Sequence, residues 1–97
     1  MGQSFEGYVG CYLDTADRQL NGTYANWLPH NNPQKCEDYC AIDNYKYFAL
    51  QNAHQCFCGY VLNSSDRKSE EECDHDCPGD TTKKCGSQWR NSLYQRR

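Results

Sequence analysis

The sequence predicts a small, disulfide-rich α+β domain in which an antiparallel sheet packs on one helix. Three observations support this fold class. The 97-residue chain contains eight cysteines, only thirteen residues of the types Leu, Ile, Val, Met and Phe, and eight tyrosines with two tryptophans. So few aliphatic side chains cannot form a large core. Each disulfide, however, stabilises a fold by about 2–4 kcal/mol, because it restricts the conformations of the unfolded chain. Buried aromatic rings supply the remaining apolar area.

The first two predicted elements are a strand and the helix. Residues 8–13, Tyr-Val-Gly-Cys-Tyr-Leu, are typical of a strand that ends at Asp14. Residues 32–42 predict the helix, because Asn32 can cap it and Pro33 suits its first turn. Three residues then share one helix face: Cys36, Tyr39 and Cys40. Asp43 and Asn44 end the helix.

A β-hairpin follows the helix. Residues 45–51 are rich in strand formers, residues 52–55 form a polar turn, and residues 56–58 return towards Gly59. Residues 91–94 predict a last strand, which we expect in the same sheet as the first strand and the hairpin. Residues 21–32 and 60–72 are polar and irregular, and are interpreted as long loops.

The spacing of the cysteines restricts their pairing. Cysteines four apart on a helix lie about 6 Å from each other, and cysteines two apart on a strand lie about 6.6 Å apart on one face. The helix cysteines can therefore bridge the strand cysteines, which favours Cys36–Cys56 and Cys40–Cys58. The crossed pairing stays open, as does the pairing of the other four cysteines, Cys11, Cys73, Cys77 and Cys85. Two zinc sites are disfavoured because Cys56-Phe57-Cys58 is too tight for a zinc knuckle.

The order of these motifs resembles the WSC domain family. The motifs are Tyr8-Val9-Gly10-Cys11-Tyr12-Leu13-Asp14, Arg18-Gln19-Leu20, Cys36-x-x-x-Cys40, Gln51, Cys56-Phe57-Cys58-Gly59, Cys73-x-x-x-Cys77-Pro78-Gly79-Asp80, Cys85-Gly86 and Leu93-Tyr94. The resemblance covers residues 8–95, and leaves residues 1–7 as an N-terminal extension and residues 96–97 as a C-terminal tail. The chain departs from the family pattern at Ser87, usually a second glycine, and at Trp89-Arg90, often a smaller residue.

The resemblance implies a fold related to PAN/Apple modules with four disulfides. The implied pairs are Cys11–Cys73, Cys36–Cys56, Cys40–Cys58 and Cys77–Cys85. WSC domains are similar to carbohydrate-recognition modules, and occur in fungal cell-wall stress sensors, secreted fungal enzymes, animal receptors and glycan-modifying enzymes. The family has no catalytic residues to carry over.

We therefore predict a non-catalytic, extracellular carbohydrate-binding module without a cofactor, which recognises a polysaccharide of the glucan, chitin or xylan type. Other copies of the domain, an attached enzyme or a membrane anchor are further expected partners. The alternative function is a protein–protein or homotypic clustering domain of a cell-surface sensor or co-receptor. Exposed aromatic residues would serve both functions, because Trp, Tyr and Arg dominate protein interfaces.

The candidate ligand-binding residues lie in the predicted loops. A sugar site needs flat aromatic rings against pyranose C–H faces, and amide or guanidinium groups for the hydroxyls. Gln88-Trp89-Arg90-Asn91 and Tyr24-Ala25-Asn26-Trp27 combine both, and Tyr60 is a further candidate. The competing interpretation places Trp27 and Trp89 in the core or against a loop. Asp14 and Arg18 are interpreted as a structural salt bridge or turn, and six aromatic residues as structural: Tyr12, Tyr39, Tyr47, Phe48, Phe57 and Tyr94.

Charge and composition exclude other partners. A net charge of −3 without a basic block disfavours nucleic acid. The longest aliphatic or aromatic run is three or four residues, which predicts no direct membrane insertion. Two N-glycosylation sequences, at Asn21 and Asn63, agree with a secreted or cell-surface location.

Catalytic and metal clusters are also disfavoured. Three adjacent acids, Glu70–Glu72 near Asp66, cannot converge on one bond and are interpreted as a solvated charge run. The histidines His30, His54 and His75 have no adjacent nucleophile. The acids of residues 74–80 lack the later bidentate glutamate of a calcium loop, so no metal site is predicted.

Overall fold

The computed structural model describes residues 7–63 and 65–96. Most of the expected N-terminal extension, and Arg97 of the expected tail, lie outside the described residues. The described chain forms the strands β1 (Tyr8–Leu13), β2 (Thr23–Ala25), β3 (Tyr47–Gln51), β4 (Gln55–Gly59), β5 (Arg67–Lys68), β6 (Asp76–Cys77), β7 (Asp80–Lys84) and β8 (Arg90–Gln95). The helix α1 spans Pro33–Ala41, and a single 3-10 turn spans Glu70–Glu72.

Six strands form one antiparallel sheet in the order β2-β4-β3-β8-β1-β5, and β6 and β7 form a separate hairpin. The last strand, β8, lies between β3 and β1. The sheet is therefore complete only when the C-terminal strand lies between the β3-β4 hairpin and the first strand. This topology confirms that the first strand, the hairpin and the last strand share a sheet.

The helix begins where its capping residues predict. The Asn32 side chain accepts a hydrogen bond from the backbone N–H of Lys35 at 2.8 Å, and Pro33 occupies the first turn. Cys36 and Cys40 are both buried against the sheet. At nine residues α1 cannot cross a bilayer, and the described part of the chain holds no other helix that is long and apolar enough to do so.

Two of the four disulfides join α1 to β4, one joins β1 to the segment before β6, and one closes the hairpin β6-β7. The bridges are Cys11–Cys73, Cys36–Cys56, Cys40–Cys58 and Cys77–Cys85, so the parallel pairing of the helix cysteines is confirmed and the crossed pairing is not adopted. The two helix bridges have Cα–Cα distances of 5.5 and 5.4 Å. Three of the sulfur atoms, from Cys36, Cys40 and Cys56, lie within 4.8 Å of one another, but each is bonded to a second sulfur and is not a thiolate ligand.

The sheet is buried on both faces. The helix-side core contains Phe48, Leu50 and Tyr94 together with six of the cysteines. The other face, called the outer face here, packs Ala49, Phe57 and Leu93 beneath Leu20. Because a loop and not a helix covers the outer face, side chains of that loop can lie flat across the strands.

The segments interpreted as loops contain short regular elements. Residues 21–32 include β2, and residues 60–72 include β5 and the 3-10 turn; the β6-β7 hairpin was also not predicted. These strands have only two to five residues and form by pairing with a neighbour. Tyr24 consequently lies on an edge strand and not in an irregular loop.

The conformation of Gly86 explains why a glycine follows the last cysteine, Cys85. Its backbone has a φ of 67°, a left-handed conformation that glycine adopts without strain. A Cβ atom at this position would lie 2.3 Å from the carbonyl oxygen of Leu50 and 2.4 Å from that of Arg90. Only glycine therefore allows the chain to leave Cys85 this close to β3 and β8.

Candidate functional site

Two stacked aromatic rings lie on the outer face of the sheet. Tyr24 on the edge strand β2 pairs directly with Phe57 on β4, and their rings stack with a centroid distance of 5.4 Å at 17°. Phe57 is buried, whereas Tyr24 is 57% exposed. Tyr24 thus presents an aromatic surface to solvent beside a rigid buried ring.

Arg18 extends this surface towards Trp89. Its guanidinium carbon lies 4.8 Å from the centroid of the Phe57 ring and 5.2 Å from the centroid of the Trp89 ring. A guanidinium group at these distances is attracted by both π faces. Tyr24, Phe57, Arg18 and Trp89 form a continuous set of flat groups, which we call the aromatic row.

Asp14 fixes both Arg18 and Trp89. Arg18 Nη1 donates to Asp14 Oδ2 at 2.7 Å, and the Gln19 backbone N–H donates to Asp14 Oδ1 at 2.7 Å. The Asp14 backbone N–H donates to the Trp89 carbonyl oxygen at 3.0 Å. Asp14 is buried, so this salt bridge is shielded from solvent more than a surface ion pair. The predicted structural salt bridge is confirmed, and it also positions the aromatic row.

Trp89 occupies a strained turn. Ser87 and Arg90 exchange two backbone hydrogen bonds of 3.1 Å, which leaves Gln88 and Trp89 as the two central residues. Trp89 has a φ of 57°, at a turn position where glycine or asparagine is preferred. A left-handed backbone costs a residue with a side chain about 1–2 kcal/mol. Arg18, its stacking partner, also has a left-handed backbone, with a φ of 61°. Such strain is concentrated at functional positions in many proteins.

The neighbours of Trp89 in the chain, Arg90 and Asn91, both contact other parts of the protein. Arg90 donates through Nε to Glu72 Oε1 at 2.6 Å and through Nη1 to the Trp89 carbonyl oxygen at 3.0 Å, so it braces the turn. Asn91 has no exposed surface and lies in β8, directly opposite Gln51 on β3. Since Asn91 offers no surface to a ligand in this conformation, we leave it out of the site.

Trp27 lies at the same end of the sheet as Trp89. Its ring is stacked on His54, in the turn between β3 and β4, with a centroid distance of 3.7 Å at 4°. It is 64% exposed. Trp27 follows β2 and Trp89 precedes β8, and these strands are three positions apart in the sheet, or about 14 Å. A ligand that contacts both tryptophans must therefore be longer than one sugar ring.

Tyr60 lies at the opposite end of the sheet. It follows Gly59, the partner of the first residue of β3, whereas Trp89 lies beyond the last residue of β3. The Tyr60 ring packs on Tyr45 with a centroid distance of 4.4 Å, and its hydroxyl donates to the Asp43 carbonyl oxygen at 2.8 Å. The structure therefore separates Tyr60 from the aromatic row.

The acidic residues do not gather around one point. Of the run interpreted as solvated, Glu70 accepts hydrogen bonds from the Tyr8 hydroxyl and the Cys11 N–H, and Glu72 binds Arg90. Asp76 pairs with Lys84 at 2.7 Å. Asp80 accepts from the Thr82 hydroxyl and N–H, and these bonds lower the pKa of Asp80. Each of these four acids therefore has its own local partner.

Sequence reasoning missed the part of Arg18 in the site. The sequence places Arg18 and Asp14 in the family motifs and predicts only a structural role for them, and it predicts a structural role for Phe57 as well. The spacing of four residues between Asp14 and Arg18 is the sequence signal that could have indicated their ion pair. The contact of Arg18 with Trp89, seventy-one positions later, has no signal in a single sequence.

The comparisons with known proteins agree on one family. The family model described as WSC domain matches residues 8–87. The chain is 30% identical over 89 residues to "Xylosyltransferase oxt" of Drosophila melanogaster, covering 90% of this chain and 10% of the fly protein. It is 32% identical over 91 residues to "Putative fungistatic metabolite" of Chaetomium globosum, covering 91% of this chain and 41% of the fungal protein.

A third relative is a "WSC domain-containing protein" of Arthroderma benhamiae, 30% identical over 89 residues, covering 91% of this chain and 12% of the fungal protein. The chain thus spans about a tenth of the length of the fly and Arthroderma relatives. The name xylosyltransferase describes a whole protein of which the matched region is a small part. The family match also ends before β8, although β8 is central to the sheet.

Proposed function

This chain belongs to the WSC domain family, and from that premise we propose that it is an extracellular module that binds a neutral polysaccharide of the glucan, chitin or xylan type. The domain itself is a WSC module and is not catalytic. The observation that carries the proposal is the position of Arg18 between the rings of Phe57 and Trp89. It holds a strained, half-exposed tryptophan in a fixed orientation at the surface.

The aromatic row has the chemistry that a sugar chain needs. The rings of Trp89 and Tyr24 can stack against the C–H faces of pyranose rings. Arg18 has five N–H donors, and its Nη1 group is bonded to Asp14, so other donors remain for sugar hydroxyls. Gln88 lies beside Trp89 in a shallow depression of about 340 Å³ and adds an amide.

The charges of this surface favour a neutral ligand. Arg18 is paired with the buried Asp14, and Arg90 is paired with Glu72. Neither cation brings surplus charge to the surface, so sulfate or carboxylate groups gain little there. Neutral hexose or pentose polymers fit this balance better than acidic glycans.

Binding at a single domain should be weak. The surface is open, so it removes only part of each sugar from water. A repetitive polymer bound by several domains gains affinity through high effective concentration. The expected parent protein therefore carries other copies of the domain, an enzyme or a membrane anchor.

The test is retention of the oxidised domain on insoluble glucan, chitin and xylan. We expect retention on at least one polymer, and a loss of at least tenfold in Trp89→Ala and Trp27→Ala. Tyr60→Ala is the matched control, because it removes an exposed ring at the other end of the sheet, and its retention should equal that of the wild type. Equal retention of all three variants, with native circular dichroism, would disprove the assignment of the site.

A second candidate function is homotypic clustering. It is favoured by the exposed apolar side chains Ile42, Tyr60 and Val61, which are 78%, 56% and 61% exposed. Apolar groups of this kind mark protein contact sites. A hydrodynamic radius that rises with protein concentration and falls back in Val61→Ser would support clustering, whereas a constant monomer radius would exclude it.

A further inference from the structure

Asn63 makes direct contact with the segment that carries Arg18. Its Nδ2 atom donates to the Arg18 carbonyl oxygen at 2.8 Å, and its backbone N–H donates to the Gln19 carbonyl oxygen at 3.2 Å. The first bond is therefore to Arg18, whose backbone is left-handed, and the second is to the residue that follows it, Gln19. Asn63 thus helps to hold Arg18 in the conformation that places it against Trp89.

Asn63 is also exposed and begins an acceptor sequence for N-glycosylation, whose third residue is Ser65. In that reaction Nδ2 forms a bond to the anomeric carbon of an oligosaccharide carried on a lipid diphosphate. The bond from that carbon to the diphosphate oxygen breaks, the lipid diphosphate leaves, and Nδ2 loses one proton. One N–H remains on the linked nitrogen, so the hydrogen bond to Arg18 can persist.

We propose that Asn63 is N-glycosylated and that its glycan covers the Arg18 side of the aromatic row, which lowers polysaccharide binding. This inference rests on the proposed function and describes regulation of the same site. The glycan starts at an atom 2.8 Å from the Arg18 main chain. The Arg18 side chain spans the distance from its own main chain to Trp89. An N-linked core of several sugars is longer than this side chain, so it can reach Trp89 from Asn63.

A small depression is shared by Asn63 and Arg18, the member of the row that lines it. It has a volume of about 170 Å³ and is lined by Leu13, Thr15, Asp17, Arg18, Gln19 and Asn63. Leu13 and Thr15 flank Asp14, whose backbone N–H is bonded to the Trp89 carbonyl oxygen. Sugar rings lying in this depression therefore approach the row along the segment that supports it.

The chain contains its own control. Asn21 begins the other acceptor sequence and is exposed, and the neighbouring Gly22 is bonded to the Cys58 carbonyl oxygen at the opposite end of β4 from the Trp89 turn. In the described part of the chain, the Asn21 side chain has no hydrogen bond to the aromatic row. A glycan at Asn21 starts near the Tyr24 end of the row and away from Trp89, so its removal should raise polysaccharide binding less than removal of the Asn63 glycan.

The experiment compares three variants secreted from a eukaryotic host. Ser65→Ala removes the acceptor sequence and keeps the Asn63 amide, and the Ser65 carbonyl bond to the Arg67 N–H is a main-chain contact that the substitution preserves. Asn63→Gln removes both the glycan and the contact, and Asn21→Gln removes the other sequence. Mass spectrometry of the peptide containing residue 63 measures occupancy, and polymer retention measures binding.

We expect a glycan mass at Asn63 in the wild type, and retention at least fivefold stronger in Ser65→Ala. Asn21→Gln should gain less retention than Ser65→Ala, and glycosidase trimming to one sugar should restore part of the binding. An unmodified Asn63, or equal retention of wild type and Ser65→Ala, overturns the proposal.

A second readout does not depend on the polysaccharide. In a Trp27→Phe background Trp89 is the single tryptophan, so fluorescence excited where tyrosine does not absorb comes from Trp89, and acrylamide quenching reports its exposure. The glycosylated protein should be quenched at least twofold less than Ser65→Ala, and equal quenching contradicts the covering of Trp89. If the unglycosylated protein binds no polymer while this difference persists, the proposed function fails and the covering of the row by the glycan stands.

Discussion

The guanidinium carbon of Arg18 lies 5.2 Å from the centroid of the Trp89 ring, and both residues have left-handed backbones. Neither residue is a glycine, so the contact is made at the expense of backbone strain at both ends. Asp14 compensates by binding the Arg18 side chain and the Trp89 main chain. A pair held in this way favours one orientation of an exposed ring, which suits a ligand surface.

Replacing Trp89 by glycine should separate stability from binding. Glycine relieves a strain of about 1–2 kcal/mol, which offsets the loss of a cation–π contact of about 0.5–1 kcal/mol. We expect Trp89→Gly to be about 1 kcal/mol more stable than Trp89→Ala in urea unfolding, although both variants lose polysaccharide retention. An alanine variant that is the more stable of the two would show that the turn is not strained.

Asp14→Asn should destabilise the domain and weaken binding. The buried carboxylate accepts two charge-assisted or backbone hydrogen bonds, and its loss should cost about 1.5–3 kcal/mol of unfolding free energy. The matched control is Asp76→Asn, which breaks an exposed pair with Lys84 of the same 2.7 Å length and should cost less than about 1 kcal/mol. Equal losses in urea unfolding would contradict the role of burial.

Stability should decrease at alkaline pH because of two tyrosines. Burial and the hydrogen bond to Glu70 raise the pKa of Tyr8 above its ordinary value of 10.0, and burial raises the pKa of Tyr94. The folded state therefore keeps these protons while the unfolded state loses them, so the stabilisation is complete below pH 10.0 and is lost as the pH rises further. Urea unfolding at about pH 9 and about pH 11 measures the decrease.

The control for this pH dependence is substitution of the same residues. Tyr8→Phe and Tyr94→Phe each remove one hydroxyl, and each should make the decrease between the two pH values smaller. A decrease that is unchanged in the double variant would assign the effect to other groups.

The longest disulfide loop should contribute most to stability. Cys11–Cys73 joins residues 62 apart, whereas Cys77–Cys85 joins residues 8 apart. Chain-entropy estimates give about 4 kcal/mol for the first bridge and about 2.5 kcal/mol for the second. Replacing each pair by two alanines should follow this order in urea unfolding, and the reverse order would show that native-state packing outweighs loop closure.

The helix, the hairpin and the two disulfides between them could be predicted, because the sequence patterns that indicate them are local. A cap at Asn32, Pro33 in the first turn, and cysteines spaced four apart on the helix and two apart on the strand favoured the helix, the hairpin and two of the bridges. The edge strand β2 could not be predicted in the same way. It has three residues and exists only because β4 offers a free edge.

The sequence by itself favoured two of the disulfides, indicated the family, whose resemblance implies the other two, and supplied the types of residue available for a site. The tertiary structure alone decided which of those residues meet. Asn91 follows Arg90 in the chain but is buried in β8, and Tyr60 is separated from Trp89 by the length of β3. Arg18 joins the site because the loop over the outer face brings it between Phe57 and Trp89. Such contacts depend on strand order and on which face a side chain occupies, and neither property is local in sequence.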